Sequence, residues 1–169
     1  KKTEKSSGVV VSSFKLGDTR GMAPQREQLY LELSALGEVD LYGKNWQLDL
    51  SKHRFGSTNN KLQTLAQYSF ALAVENTWAP GYVTEKLPDC ILAGIPVLYW
   101  GDIENAQRRF PDTFVPLGDL TLSAFWKARE QLFRNYTFHL QAVHCEREKS
   151  DSWCNSYLDA MQYAFQYYL

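Results

Sequence analysis

Two uninterrupted apolar runs, 69–74 (SFALAV) and 95–100 (IPVLYW), dominate the middle of the sequence. Neither alternates apolar with polar residues. A strand with one wet face alternates, and a strand covered on both faces does not. Between the runs lies an apolar segment, 87–93, of helical length, closed by Gly94. Buried strand, helical crossover and buried strand together describe a parallel sheet with helices on its faces.

The flanking sequence extends that pattern. Residues 8–14 (GVVVSSF) read as a β-branched strand, and 15–23 are turn-rich. Pro24 then opens a helix with Leu29, Tyr30, Leu33 and Leu36 near helical spacing, stopped by Gly37. Val39 to Tyr42 is a short strand ended by Gly43. Residues 44–59 are polar and irregular, and 60–68 suit a short helix. Ile103 to Phe110 reads as a helix, Thr113 to Leu117 as a strand, and everything from Thr121 onward as helical. The expectation is an α/β fold: a Rossmann-like parallel sheet of about five strands with helices on both faces, followed by C-terminal helices. The 169 residues suit a single domain, with 121–169 as its helical tail.

Charge narrows the partners. Eighteen Lys and Arg against 19 Asp and Glu leave a net charge of −1, so no global field draws this chain to nucleic acid. The longest uncharged apolar run, Cys90 to Gly101, falls short of the roughly 20 residues that a spanning helix needs. Membrane association is therefore expected only through segments outside this sequence. The opening KKTEKSSG has neither an initiating Met nor an apolar core, and reads as a cut within a longer chain rather than a signal peptide. Three cysteines make no disulfide framework. Cysteine usage favours free thiols and a cytoplasmic, bacterial setting, with the Golgi lumen as the alternative.

In parallel sheets ligands bind beyond the carboxyl ends of the strands. The residues to inspect therefore follow Phe14, Tyr42, Val74 and Trp100. After Val74 comes ENTWAPGYVTEKLP, ending at Pro88. Proline is tolerated only in the first turn of a helix, so the helix begins no earlier than about Glu85. Glu85 and Lys86 then stand at a helix mouth on the ligand edge. Unpaired backbone N–H groups, a positive dipole end and an ammonium suit a phosphate or diphosphate there. The neighbouring carboxylate suits sugar hydroxyls instead. Local chemistry alone leaves two readings open, an anion site and a helix start with a solvated Glu–Lys pair. Arg26, in the first turn of the first helix, is a second candidate phosphate contact, with Arg20 as its competitor and a surface arginine as the bland reading. Neither a GxGxxG fingerprint nor a GxxxxGK[ST] loop occurs.

The blocks 68–76 (YSFALAVEN), 81–87 (GYVTEKL) and 93–101 (AGIPVLYWG) resemble the GDP-fucose-dependent α1,3/α1,4-fucosyltransferases. The similarity extends to Phe110–Phe114 and Asp119, to 39–43 (VDLYG), and to Val10–Ser12 with the Arg26 helix, about residues 8–120 in all. The resemblance implies the C-terminal, donor-binding half of a GT-B fold. It implies that Lys86 and Arg26 neutralise the diphosphate of GDP-fucose and stabilise the charge that develops as GDP departs. Glu85 would bind the ribose hydroxyls, and Tyr82 the nucleotide near base and ribose. Asn76 would lie near phosphate and fucose, and Tyr42 and Gly43 near the guanine. Thr84, within the same block, joins the donor-binding set. The implied reaction inverts the anomeric centre and transfers fucose to a GlcNAc-type glycan hydroxyl. Neither a metal nor another cofactor is expected, since no Asp-x-Asp motif occurs. The catalytic base would belong to an acceptor-binding N-terminal domain, so no base is assigned here and the chain alone is expected to be inactive. Val74 and Pro88 depart from residues common in the family. The alternatives are a transferase using another GDP-sugar and a non-catalytic nucleotide-binding or interaction module of the same fold.

Other features read as structural. Asn135-Tyr136-Thr137 fits a glycosylation sequon, relevant only in a secretory lumen. Cys145 and Cys154 are close enough in sequence to pair under oxidising conditions, while Cys90 falls on a buried helix face. His139, His144 and Cys145 lack the spacing of a helical zinc site. Trp153, Tyr157, Met161, Phe165 and Tyr168 form a helical row that suits core packing or domain docking. Arg108-Arg109 reads as a solvated pair.

Overall fold

The structure, a computed structural model, describes residues 5–12, 20–44 and 53–154, with the side chains of Lys5 and Ser6 excepted. Ser13 and Phe14 of the expected first strand, the start of the turn-rich stretch, and Tyr157, Met161, Phe165 and Tyr168 of the helical row lie outside the described residues.

Among the described residues the chain alternates strand and helix: β1 (Lys5–Val11), α1 (Ala23–Ala35), β2 (Val39–Tyr42), β3 (Arg54–Phe55), α2 (Lys61–Leu65), β4 (Tyr68–Val74), α3 (Lys86–Ala93), β5 (Val97–Trp100), α4 (Ile103–Arg109), β6 (Phe114–Pro116), α5 (Leu122–Arg134) and α6 (Tyr136–Glu148). The strands form one sheet in the order β3-β2-β1-β4-β5-β6, every pair parallel. The expected α/β class holds, with six strands rather than five. The additional strand, β3, lies in the stretch read as irregular. It has two residues and no apolar run, and exists because it extends the ladder at the free edge of β2, where Leu41 N donates to His53 O at 2.8 Å.

Side-chain alternation along the strands builds two cores. Val10, Phe70, Leu72, Leu98 and Val115 face Leu29 and Leu33 of α1 and Phe125 and Leu132 of α5. Val9, Ala71, Ala73, Val97 and Tyr99 face Leu65 of α2, Leu87 and Ile91 of α3, and Ala106 of α4. Both sheet faces are covered, which is why the central strands carry no polar alternation.

Local signals set the element ends. Pro stands in the first turn of α1. The α3 helix starts at Lys86 and ends on Gly94 at φ 79°, a left-handed cap that glycine adopts without a Cβ clash. Pro96 precedes β5 and offers only its carbonyl to the ladder, accepting from Ala71 N at 3.0 Å. Trp153 turns inward, its ring 5.1 Å from that of Phe110. His139 is buried with Nδ1 2.8 Å from Asp112 O, a structural role. Cys90, Cys145 and Cys154 are all unpaired.

Candidate functional site

The strand order places β1 between β2 and β4, so the chain runs outward from β1 to β2 and β3, then crosses back to β4 and runs outward on the other side. Such a switch point opens a crevice at the carboxyl ends of the strands. A cavity of about 20 Å³ lies between β1 and β4, lined among others by Ser12, Val74, Tyr30, Lys61, Lys86 and Cys90.

Immediately after β4, Glu75 is fully buried. Its Oε1 accepts from Thr84 N at 2.8 Å and from the Tyr99 hydroxyl at 3.2 Å. Its Oε2 accepts from Thr84 Oγ1 at 2.6 Å and from Lys86 Nζ at 3.0 Å. Lys86 Nζ also donates to Thr84 Oγ1 at 2.8 Å. A buried carboxylate is tolerable only when paired and hydrogen-bonded, and this one is both. Gly101 permits the arrangement: a Cβ there would stand 2.8 Å from Glu75 Cγ and 2.5 Å from the Tyr99 hydroxyl oxygen. Sequence reasoning missed Glu75, Tyr99 and Gly101. A charged residue directly after an unbroken apolar strand was the available signal.

Beside this knot, the Arg26 guanidinium donates to the Asn76 side-chain oxygen. Arg26 is buried, so its charge is held rather than waving in solvent. The Asn76 carbonyl accepts from Met22 N at 3.2 Å, which ties the loop before α1 to the loop after β4. Burial is the largest cause raising the Tyr82 phenol, reinforced by the charges of Glu75 and Glu85 and opposed by Arg26. The Asn76 side chain, next to Tyr82, acts to lower the Tyr82 phenol. Tyr30, also unassigned from sequence, is buried beneath, close enough to feel Arg26 and Glu75, and burial raises its phenol. The structure thus brings Arg26, Asn76, Tyr82, Thr84 and Lys86 together around Glu75.

Glu85 stands at the N-cap of α3, exposed, its Oε1 3.7 Å from Lys86 Nζ. No side chain caps α3, whereas Asn60, Asp102 and Thr121 cap α2, α4 and α5. Its N-terminal dipole end is left to solvent or a ligand. Partial burial acts to raise the Glu85 carboxyl, but the ammonium groups of Lys86 and Lys61 outweigh it and hold the group below its ordinary value. Lys61 in turn pairs with Asp89 at 2.7 Å. The loop between Asn76 and Glu85 is fastened a second time, where Gly81 N donates to Asp102 Oδ2 at 2.6 Å.

Tyr42 and Gly43 fall elsewhere. The Tyr42 ring stacks on Phe55 at 4.8 Å, and its hydroxyl lies 3.1 Å from that of Tyr68. Tyr68 donates to the buried Asp40 at 2.6 Å, which also lies 2.7 Å from His53 Nδ1. Tyr42 is therefore engaged in a polar chain around Asp40, and no described hydrogen bond links it or Gly43 to the cluster around Glu75. Among the described residues no group of three or more His, Cys, Asp or Glu could hold a metal ion.

A buried arginine, a nearly buried lysine and an uncapped helix end lie close to the carboxyl end of β4. The model of glycosyltransferase family 10 (fucosyltransferase), C-terminal region, matches residues 1–155. The α-(1,3)-fucosyltransferase FucT of Helicobacter pylori is 40% identical over 63 residues, covering 37% of this chain and 13% of that protein. The human 4-galactosyl-N-acetylglucosaminide 3-α-L-fucosyltransferase FUT6 is 28% identical over 142 residues, covering 80% of this chain and 38% of that one. Among solved structures, an α1,3-fucosyltransferase with GDP-fucose superposes with TM-score 0.59 at 25% identity, over 83% of this chain and 38% of that one. The chain spans less than two fifths of the length of the relatives it matches.

Proposed function

The chain belongs to glycosyltransferase family 10, the fucosyltransferases, through that family's C-terminal region, and from that premise we propose that it binds GDP-fucose as the donor half of an inverting transferase acting on a GlcNAc-type glycan. The observation that carries this reading is that Lys86 and Arg26 are held by the adjacent residues Glu75 and Asn76 at the carboxyl end of β4.

In such a transfer the acceptor hydroxyl attacks the anomeric carbon from the face opposite the nucleotide. The bond from that carbon to the diphosphate breaks, and negative charge collects on the departing phosphate oxygens. Cations already in place stabilise that charge without reorganising as the bond breaks. Lys86 and Arg26 supply them, so the reading needs no metal. Glu85, kept ionised by its two lysine neighbours, accepts hydrogen bonds from the ribose hydroxyls. Tyr82 contacts the nucleotide near the base and ribose, Asn76 lies near the phosphate and fucose, and Thr84 holds Lys86 in register. The group that takes the acceptor's proton belongs to the acceptor-binding part of the protein, outside this chain.

The test is a transfer assay on the intact protein, offering GDP-fucose, GDP-mannose and UDP-sugars with an N-acetylglucosaminide acceptor, without added metal and with chelator. The expected product is a fucoside whose anomeric configuration, read by NMR, is opposite to that of the donor. Retention of configuration, or preference for another sugar nucleotide, would sink the proposal.

A further inference from the structure

We propose that Glu75 is the positioning residue of the donor site: its buried carboxylate holds the Lys86 ammonium and the Val83-Thr84 turn in the geometry that receives a diphosphate. This inference rests on the donor-site reading of Lys86.

A lysine side chain has a flexible four-carbon stem and about 2 kcal/mol of rotamer entropy to lose. At a helix mouth it would ordinarily swing in solvent. Here the Lys86 side chain is only 13% exposed. Of its three N–H donors, one goes to Glu75 Oε2 and one to Thr84 Oγ1, and the third makes no hydrogen bond among the described residues. Glu75 also accepts from Thr84 twice, through the backbone N–H and the hydroxyl. One carboxylate thus fixes both the ammonium and the residue that braces it.

Three segments converge on this group. The strand β4 places Glu75 at its carboxyl end, where Glu75 N donates to Trp100 O at 3.0 Å. The loop and first turn of α3 bring Thr84 and Lys86. The β5 strand brings the Tyr99 hydroxyl, and Gly101 beyond it leaves the space that Glu75 fills. An amide in place of the carboxylate would keep the shape, remove the counter-charge and turn one of the two acceptor oxygens into a donor, so that the nearly buried ammonium loses its ion pair and the Thr84 and Lys86 donors compete for one oxygen. The diphosphate would then meet a lysine displaced from its post.

The experiment compares GDP with guanosine, which lacks the diphosphate, as ligands of the intact protein followed by NMR titration. Glu75→Gln is expected to weaken GDP about 10- to 100-fold and to change guanosine less than twofold, since a charge-assisted contact is lost only toward phosphate. Glu75→Asp, which keeps the charge on a shorter stem, is expected to recover part of the GDP affinity. In a Lys86→Met background, Glu75→Gln should add less than a further twofold. Equal weakening of GDP and guanosine, or an undiminished effect in the Lys86→Met background, would overturn the inference. Should Glu75→Gln fail to fold by circular dichroism, Thr84→Val decides by the same comparison. It should cost GDP about three- to tenfold and guanosine nothing, and any other pattern overturns the inference. If Lys86→Met itself leaves GDP affinity unchanged, the donor-site reading is what has failed. If Lys86→Met weakens GDP while Glu75→Gln does not, only the role of Glu75 has failed.

Discussion

Arg26 and Asn76 lie fifty positions apart in sequence and meet through one side-chain hydrogen bond. That bond fixes a buried guanidinium beside the carboxyl end of β4. Asn76→Ala is expected to weaken GDP binding about five- to tenfold, the usual worth of one hydrogen bond, and to cost about 1–3 kcal/mol of stability by leaving a buried guanidinium donor unpaired. Calorimetric titration alongside a melting curve checks both. At this scale the sequence was legible where chemistry is local. Pro88 dates the start of α3, and the start of α3 puts Glu85 and Lys86 at its mouth. Glu75 was illegible for a corresponding reason. A carboxylate after a strand looks like any loop acid until its donors are known, and they come from positions nine, eleven and twenty-four residues onward. Tyr42 illustrates the opposite limit. Its place at a strand end follows from the sequence, but its hydroxyl is turned toward Tyr68 by partners that no local pattern specifies.

The elements are joined at the site by short, buried fastenings, and two of them are open to test. Asp102 caps α4 through Asn105 N and holds Gly81 N at 2.6 Å, so one carboxylate ties a helix to the donor loop. Burial acts to raise its carboxyl, but the Gly81 and Asn105 donors and the Arg108 charge hold it below its ordinary value. A carboxyl depressed in the folded state stabilises fully above its unfolded value, about 3.9, and that stabilisation is lost as pH falls through the folded value. Asp102→Asn keeps one capping oxygen but loses the charge and the second acceptor, and is therefore expected to cost about 1–2 kcal/mol at pH 7. The gap from the parent protein should close below about pH 4, in urea unfolding repeated across pH. Gly101→Ala is a harsher test, because its Cβ meets both Glu75 and the Tyr99 hydroxyl. An expected loss of about 1–3 kcal/mol from overpacking should be accompanied by weaker GDP binding, since the displaced side chain is the one that braces Lys86. The sixth strand shows why elements are less legible than residues at sheet edges. Nothing in Arg54-Phe55 alone demands a strand, and only the open edge of β2 makes one.

At the scale of the molecule, the order β3-β2-β1-β4-β5-β6 puts the switch point beside the two candidate cations; the parallel sheet followed from the apolar runs, whereas the strand order is set by tertiary packing and was not legible in them. The chain spans less than two fifths of its relatives' length, and the account assigns the acceptor and the catalytic base to the remainder. Residues 1–169 purified alone are accordingly expected to transfer no measurable fucose in an assay where the intact protein turns over. Robust transfer by the isolated chain would mean that a base lies within it. The most direct test of the central claim is calorimetric titration of the intact protein with GDP, with and without Lys86→Ala and in the presence of chelator. The account expects metal-free binding selective for guanine, weakened by about 1.5–3 kcal/mol when Lys86 is lost, as for a hydrogen bond to a charged group. Binding that survives unchanged without Lys86, or that requires a divalent cation, would contradict it.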